Sequence, residues 1–181
     1  MSPRIYTQEE IAKISQSALL VGDTLAEMAK MIAPGVKTIE LDRRAEEFIR
    51  SNGAIPACKG YEGFPSALCI SVNEVVVHGF PSELELKDGD IVSVDCVVEK
   101  DGYFGDSAYT FMVGNVADPV RNLLEATKVS LYKGIEQARA GKRTGDIGHA
   151  VQSYVEARGY GVVRELCGME LAPICMKSLM C

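Results

Sequence analysis

Two aspartates stand in a stretch otherwise built for a β-sheet. Asp95 lies among Val92, Val94, Val97 and Val98, and Asp106 follows the dipeptide Asp101-Gly102. Asp-Gly between apolar segments is a strong hairpin signal. A two-residue turn there pairs Lys100 with Tyr103, sets Ala108 opposite Asp95 and Val97 opposite Asp106, and so puts both carboxylates on one face. Diagonal neighbours of this kind lie roughly 7–8 Å apart at the backbone, within reach of one shared pair of cations. Asp is disfavoured inside strands. A divalent metal would relieve the repulsion and desolvation of two such groups. A sheet face open to water accounts for them equally well, because such faces tolerate acids. The register decides, since a slip of one residue in one strand sends the carboxylates to opposite faces.

His78 follows Val75-Val76-Val77 and precedes Gly79-Phe80-Pro81. At the mouth of an extended segment an imidazole can exchange a hydrogen bond with a substrate, although one such histidine alone is more often structural. His149 lies off the Ile147/Val151/Tyr154/Val155 stripe, beside Asp146, Gln152 and Ser153, and reads as a solvated helix residue with no role.

The elements that must position these groups follow from periodicity. Thr7-Gln8-Glu9-Glu10 has capping-box form, and Ile11, Ile14, Ala18, Val21, Leu25, Met28 and Ile32 recur behind it at helical spacing, ending before Pro34-Gly35. A second helix, capped by Thr38, carries Leu41, Ala45, Phe48 and Ile49 on one side and stops at Gly53. Ala67 to Val72 and Val75 to Val77 read as extended segments. Ile91 to Glu99 and Tyr103 to Met112 form the hairpin. Helical spacing resumes after Pro119 through Val120, Leu123, Leu124, Thr127, Leu131, Ile135 and Ala138, and again from Thr144 to Gly159.

A shift of 106 positions lays Gly35 on Gly141, Thr38 on Thr144, Leu41 on Ile147, Phe48 on Tyr154, Ile49 on Val155 and Gly53 on Gly159. The chain therefore reads as one catalytic-type domain, 1–181, of two related halves. Residues 1–115 form a first αα-plus-sheet half, 116–168 begin a second, and 169–181 form an atypical tail. The fold class is α+β, and most of the second sheet is missing.

Composition narrows the function. The 181 residues are 47% hydrophobic and 24% charged, which suits an ordinary globular domain. With a net charge of −6, a pI near 5.0 and scattered Lys and Arg, the chain lacks the footprint of a nucleic-acid binder, and no such partner is expected. Met1 to Tyr6 carries no apolar signal core, and no run reaches membrane-spanning length, so a cytoplasmic protein without a membrane partner is expected. Six cysteines without a CxxC pair read as reduced thiols.

Several blocks then agree, in order, with one family. Pro56-Ala57-Cys58-Lys59-Gly60-Tyr61, Cys69-Ile70-Ser71-Val72-Asn73-Glu74-Val75-Val76-Val77-His78-Gly79, Asp88-Gly89-Asp90-Ile91-Val92 with Asp95, and Gly102-Tyr103-Phe104-Gly105-Asp106 resemble type I methionine aminopeptidases over roughly Thr7 to Gly168. The resemblance implies the pseudo-two-fold "pita-bread" (creatinase/aminopeptidase-like) fold and hydrolytic removal of N-terminal methionine from nascent polypeptides. It also implies two divalent metal ions, with manganese, iron, cobalt and zinc left open. By the same resemblance Asp95 and Asp106 are two of five metal ligands, and His78 contacts the scissile amide. Cys58, Tyr61, Phe64 and Cys69 line the methionine pocket, where a soft apolar lining suits a thioether. The implied partners are nascent N-termini and the ribosome, and the implied state is a monomer. The rival reading is a non-catalytic module of the same fold that holds an N-terminus or a ribosomal partner.

The tail departs from the family. The family continues Cys-Gly-His-Gly, its histidine a ligand, whereas Cys167-Gly168 is followed by Met169-Glu170, and the two remaining ligands are glutamates of the absent second sheet. Restoring one C before the Met169 codon, with Leu171 read as TTG, gives His, Gly, Val or Ile, Gly, three further residues, His or Tyr, and Glu. The family pattern is His-Gly-Val-Gly, three variable residues, His-Glu. The expectation is a one-base deletion or sequencing error near codon 168, and a chain that is incomplete and inactive as written.

Overall fold

The structure, a computed structural model, describes residues 5–164 and Leu166. It divides into two compact units between Asn115 and Val116. In the first unit, helix α1 runs Gln8–Met31 behind the expected capping box: Glu10 N–H donates to Thr7 Oγ1 (3.3 Å) and Thr7 N–H to Glu10 Oε2 (2.8 Å). Its buried side is Ser17, Leu20, Val21, Thr24 and Met28, and Ile11 is exposed. This differs from the expected stripe because α1 lies close against the sheet. A Cβ on Gly105 would stand 2.5 Å from the Ala18 nitrogen, and Ser17 Oγ donates to the Tyr103 carbonyl (2.8 Å). Small side chains let the backbones meet there.

Helix α2, Thr38–Ser51, buries Leu41, Asp42, Ala45 and Ile49, and stops at Gly53, whose φ of +70° suits glycine. Lys37, not Thr38, is the cap residue. The Thr38 hydroxyl is instead engaged with Ser82, donating to its carbonyl (3.0 Å) and accepting its N–H (2.9 Å).

The sheet has strands β1 Ile55–Pro56, β2 Leu68–Val72, β3 Ile91–Lys100 and β4 Tyr103–Met112. All pairings are antiparallel. β1 and β2 follow one another along one edge of β3, and β4 takes the other edge. Val92, Val94, Cys96 and Val98 point toward the helices and form the core with Val21, Met28, Leu41, Ile49 and Leu68. The alternate residues of β3 face the other way. Val75 to Val77 is not a strand. Asn73 turns the chain at φ +53°, Val75 N–H donates to the Val72 carbonyl, and all three valines are exposed in a loop. β-branched composition imitated a strand where a turn residue governs the backbone.

The second unit holds helices α3, Asp118–Ile135, and α4, Thr144–Glu156. On α4 the expected stripe residues Ile147 and Val151 make the contact, whereas the large residues expected on α3 do not. Ala126, Ser130 and Gly134 are the buried residues of α3, while Leu123, Leu131 and Ile135 are exposed. A Cβ on Gly134 would come within 3.1 Å of Val151 Cγ2, so small residues of α3 admit the apolar stripe of α4. The punctuation of α2 recurs in α4. Lys37 N–H bonds to Glu40 (3.5 Å) as Arg143 N–H does to Asp146 (2.8 Å), and Gly35, Gly53, Gly141 and Gly159 all have positive φ. No strand is present in this unit among the described residues.

Candidate metal and substrate site

The hairpin closes with the register its turn sequence predicts. Asp101 (φ +53°) and Gly102 (φ +80°) form the two-residue turn, with Lys100 opposite Tyr103, Asp95 opposite Ala108, and Val97 opposite Asp106. Asp95 and Asp106 therefore share the sheet face turned away from the helices, and Ser93 and Thr110 extend it with a 2.7 Å hydroxyl pair. β2 adds Cys69, directly opposite Asp95, and Ser71, opposite Ser93.

The two carboxyl groups are diagonal neighbours on that face and titrate as an interacting pair. Burial pushes both above the usual aspartate range, and Asp106, which also faces the charge of Asp95, is raised to about 6. One proton retained by the pair relieves the repulsion of two neighbouring carboxylates. Two partly buried oxygen ligands held together by one proton are a donor set for a hard cation, which would take that proton's place. Asp95 and Asp106 would hold it. Among the described residues no group of three potential metal ligands occurs, so the pair supplies part of a coordination shell.

His78 is placed by its neighbour. Ile70 N–H donates to the Gly79 carbonyl (2.9 Å) and Gly79 N–H to Ser71 Oγ (3.1 Å), which lays the segment along β2. A Cβ on Gly79 would lie 2.2 Å from the Ile70 carbonyl oxygen, so only glycine permits the approach. His78 itself, at φ +57°, occupies the left-handed region that non-glycine residues seldom adopt, and its side chain is exposed.

The loop between β1 and β2 carries the remaining groups. Tyr61 opens a single 3-10 turn, Tyr61–Gly63, and its N–H donates to the Cys58 carbonyl (3.1 Å). The Phe64 ring rests against Phe80, centroids 5.2 Å apart, and so ties this loop to the His78 loop. Cys58 and Cys69 are both buried. Interaction with Cys69, together with burial, pushes the Cys58 thiol well above the usual range. Asp42 of α2 accepts the Leu68 N–H (2.8 Å), fixing the start of β2. Burial raises the Asp42 carboxyl despite this bond.

The structure gathers Cys58, Cys69, Asp95 and Asp106 on one side of the sheet, with His78 hung from the free edge of β2. Sequence reasoning missed Asp42, Ser71, Gly79 and the ring partner Phe80. The signals available were an acid inside the buried side of α2, between Leu41 and Ala45, and a glycine directly after His78. A groove of about 270 Å³, lined by Thr38, Ile70, Val72 and Phe80, lies beside β2. Ile70 and Val72 alternate with Cys69 and Ser71, so it is a different surface from the acidic one.

Residues 12–173 match metallopeptidase family M24. The chain belongs to this family. Among the family's curated members it is 48% identical to methionine aminopeptidase 1 of Bacillus subtilis over 90% of its own length and 65% of that protein's. It is 48% identical to the methionine aminopeptidase of Clostridium perfringens over 91% and 66%. It thus spans just under two thirds of these M24 relatives. The crystal structure of methionine aminopeptidase from Rickettsia prowazekii superposes with a TM-score of 0.92 at 39% identity, covering 94% of this chain and 69% of that one. A Xaa-Pro dipeptidase from Bacillus anthracis, 23% identical with a TM-score of 0.75, shares the fold alone. The fold is the α+β pita-bread class of the M24 peptidases. No helix among the described residues is long and apolar enough to cross a membrane.

Proposed function

We propose that the protein removes N-terminal methionine from nascent polypeptides by divalent-metal-dependent hydrolysis. The observation that carries this reading is the Asp95–Asp106 pair, aligned by the hairpin register beside the cross-strand thiol of Cys69, in a chain 48% identical to proteins named methionine aminopeptidase. Asp95 and Asp106 hold the metal ions, which are manganese, iron, cobalt or zinc. When bound, such ions polarise the carbonyl and activate water for its attack. His78 contacts the amide being cut, and Cys58, Tyr61, Phe64 and Cys69 receive the methionine side chain. The setting is the cytoplasm, with the protein acting as a monomer on chains leaving the ribosome.

Two carboxylates are too few donors for tight binding, so the 181-residue chain alone is expected to bind metal weakly and turn over little peptide. The test is hydrolysis of a Met-Ala-type peptide with Mn²⁺, by this chain and by a product carrying the family's remaining ligands. Metal-dependent turnover by the longer product, reduced at least about tenfold by His78→Ala, supports the reading. Peptide binding without metal and without hydrolysis in both products overturns it in favour of a binding module.

A further inference from the structure

The imidazole of His78 is exposed, so packing does not hold it in place and the backbone must aim it. That backbone is strained, with φ at +57° in the left-handed region. The peptide plane that follows carries the Gly79 N–H, and because a peptide is planar the direction of this N–H sets the ψ of His78. The N–H is held: it donates to Ser71 Oγ at 3.1 Å, and Ser71 is only 5% exposed. One peptide further on, the Gly79 carbonyl accepts the Ile70 N–H at 2.9 Å. This second bond fixes the path of the chain after Gly79, whereas the Ser71 bond acts on the plane attached to His78 itself. Ser71 stands opposite Ser93, on the face that carries Cys69, Asp95 and Asp106, so its hydroxyl refers the position of His78 to the acidic pair.

We propose that Ser71 is a positioning residue for His78, holding the imidazole at the scissile amide through its bond to the Gly79 N–H. The catalytic consequence rests on the function proposed above, whereas the control of the loop by Ser71 does not. Ser71 itself touches no reacting atom. Loss of its hydroxyl leaves a methyl group facing the N–H, and the plane can then turn and let His78 relax toward commoner backbone conformations. A hydrogen bond from His78 to the amide is sensitive to such a displacement, because the group helps only when it sits at bonding distance in the right orientation. The serine therefore acts on the chemical step more than on the binding of the methionine side chain, which the same reading gives to Cys58, Tyr61, Phe64 and Cys69.

Two measurements test this role. In the 181-residue chain, amide hydrogen exchange followed by NMR should speed up at Gly79 at least about tenfold in Ser71→Ala, while Val94, in the core of the sheet, keeps its rate. An unchanged rate at Gly79 overturns the proposal, whatever the activity. In the longer product that carries the family's remaining ligands, Ser71→Ala should lower kcat for the Met-Ala peptide about fivefold with KM nearly unchanged, and should have little effect on kcat in the His78→Ala background. Losses of equal size in the two backgrounds place the serine in general stability and overturn the proposal. If Ser71→Ala does not fold, Ser71→Cys keeps the shape of the side chain and substitutes a weak acceptor, and the same cycle with His78→Ala decides. A wild-type longer product without turnover sinks the proposed function and with it the catalytic role of the bond, while faster Gly79 exchange still shows that Ser71 sets the loop.

Discussion

Cys69 and Asp95 are direct partners across the β2–β3 ladder, so a thiol of the proposed pocket and a proposed cation ligand rise from the sheet as one cross-strand pair. Metal and pocket are therefore not independently adjustable. A change in β2 register would move Cys69 off the acidic face and carry the Gly79 contact with it.

The first prediction concerns the cation. Mn²⁺ at a hundred times its dissociation constant stabilises the folded chain by about 2.7 kcal/mol if it binds only that state. Thermal unfolding of the wild-type chain should show this increase, and Asp95→Asn or Asp106→Asn should abolish it. An undiminished metal response in both variants contradicts the site.

A second prediction follows from the shared proton. Asp106 holds its proton up to about pH 6, whereas in the unfolded chain it releases it near pH 4. The metal-free folded state binds more protons between those values, so stability falls as pH rises through that window. The loss is on the order of 1–2 kcal/mol, discounted because the carboxyl is only partly shielded from solvent. Urea unfolding from pH 4 to pH 7 should show the decline without metal and a flatter profile in Asp106→Asn. A decline of equal size in that variant assigns it elsewhere.

How much of this was legible in the sequence differs by residue. The hairpin was, because Asp101-Gly102 encodes the turn, and the turn sets which residues oppose Asp95 and Asp106. The Val75–Val77 loop was not, because its composition speaks of strands while its path is set by Asn73 and by the contact of Gly79 with Ile70. On α3 the large apolar residues suggested the buried face, yet distance selected Ala126, Ser130 and Gly134. Asp42 stood out only as an acid on the apolar side of α2, because its partner, the Leu68 amide, lies far along the chain.

Two glycines make opposite predictions. Gly79→Ala forces a Cβ into the Ile70 carbonyl and should cost about 1–3 kcal/mol while displacing His78. Gly22→Ala, inside α1 with nothing within 4 Å of the new methyl, should gain about 0.5–1 kcal/mol. Denaturant midpoints of the two variants should move in opposite directions, and a shift of Gly79→Ala in the stabilising direction refutes the packing argument.

Asp42→Ala leaves the buried Leu68 N–H without its acceptor, at a cost of about 1–3 kcal/mol. Asp42→Asn, which keeps one carbonyl oxygen, should recover part of that loss. Equal destabilisation by both would place the effect in the charge rather than in the backbone bond.

The last prediction is read from DNA. Residues 169–181 lie outside the described residues, and residues 169–177 can be back-translated so that a neighbouring frame carries the family pattern. An independent read past codon 168 should find that frame open and encoding His-Gly at its start. A confirmed Met169-Glu170 sequence with no open neighbouring frame removes the deletion.

The two-residue turn also bears on the order in which the molecule assembles. Asp95 and Asp106 belong to one hairpin, so bringing them together closes only a short loop and costs little chain entropy. Hairpins of this kind form within microseconds, before distant segments have searched for their places. During synthesis the acidic pair can be in register as soon as Met112 is free to move.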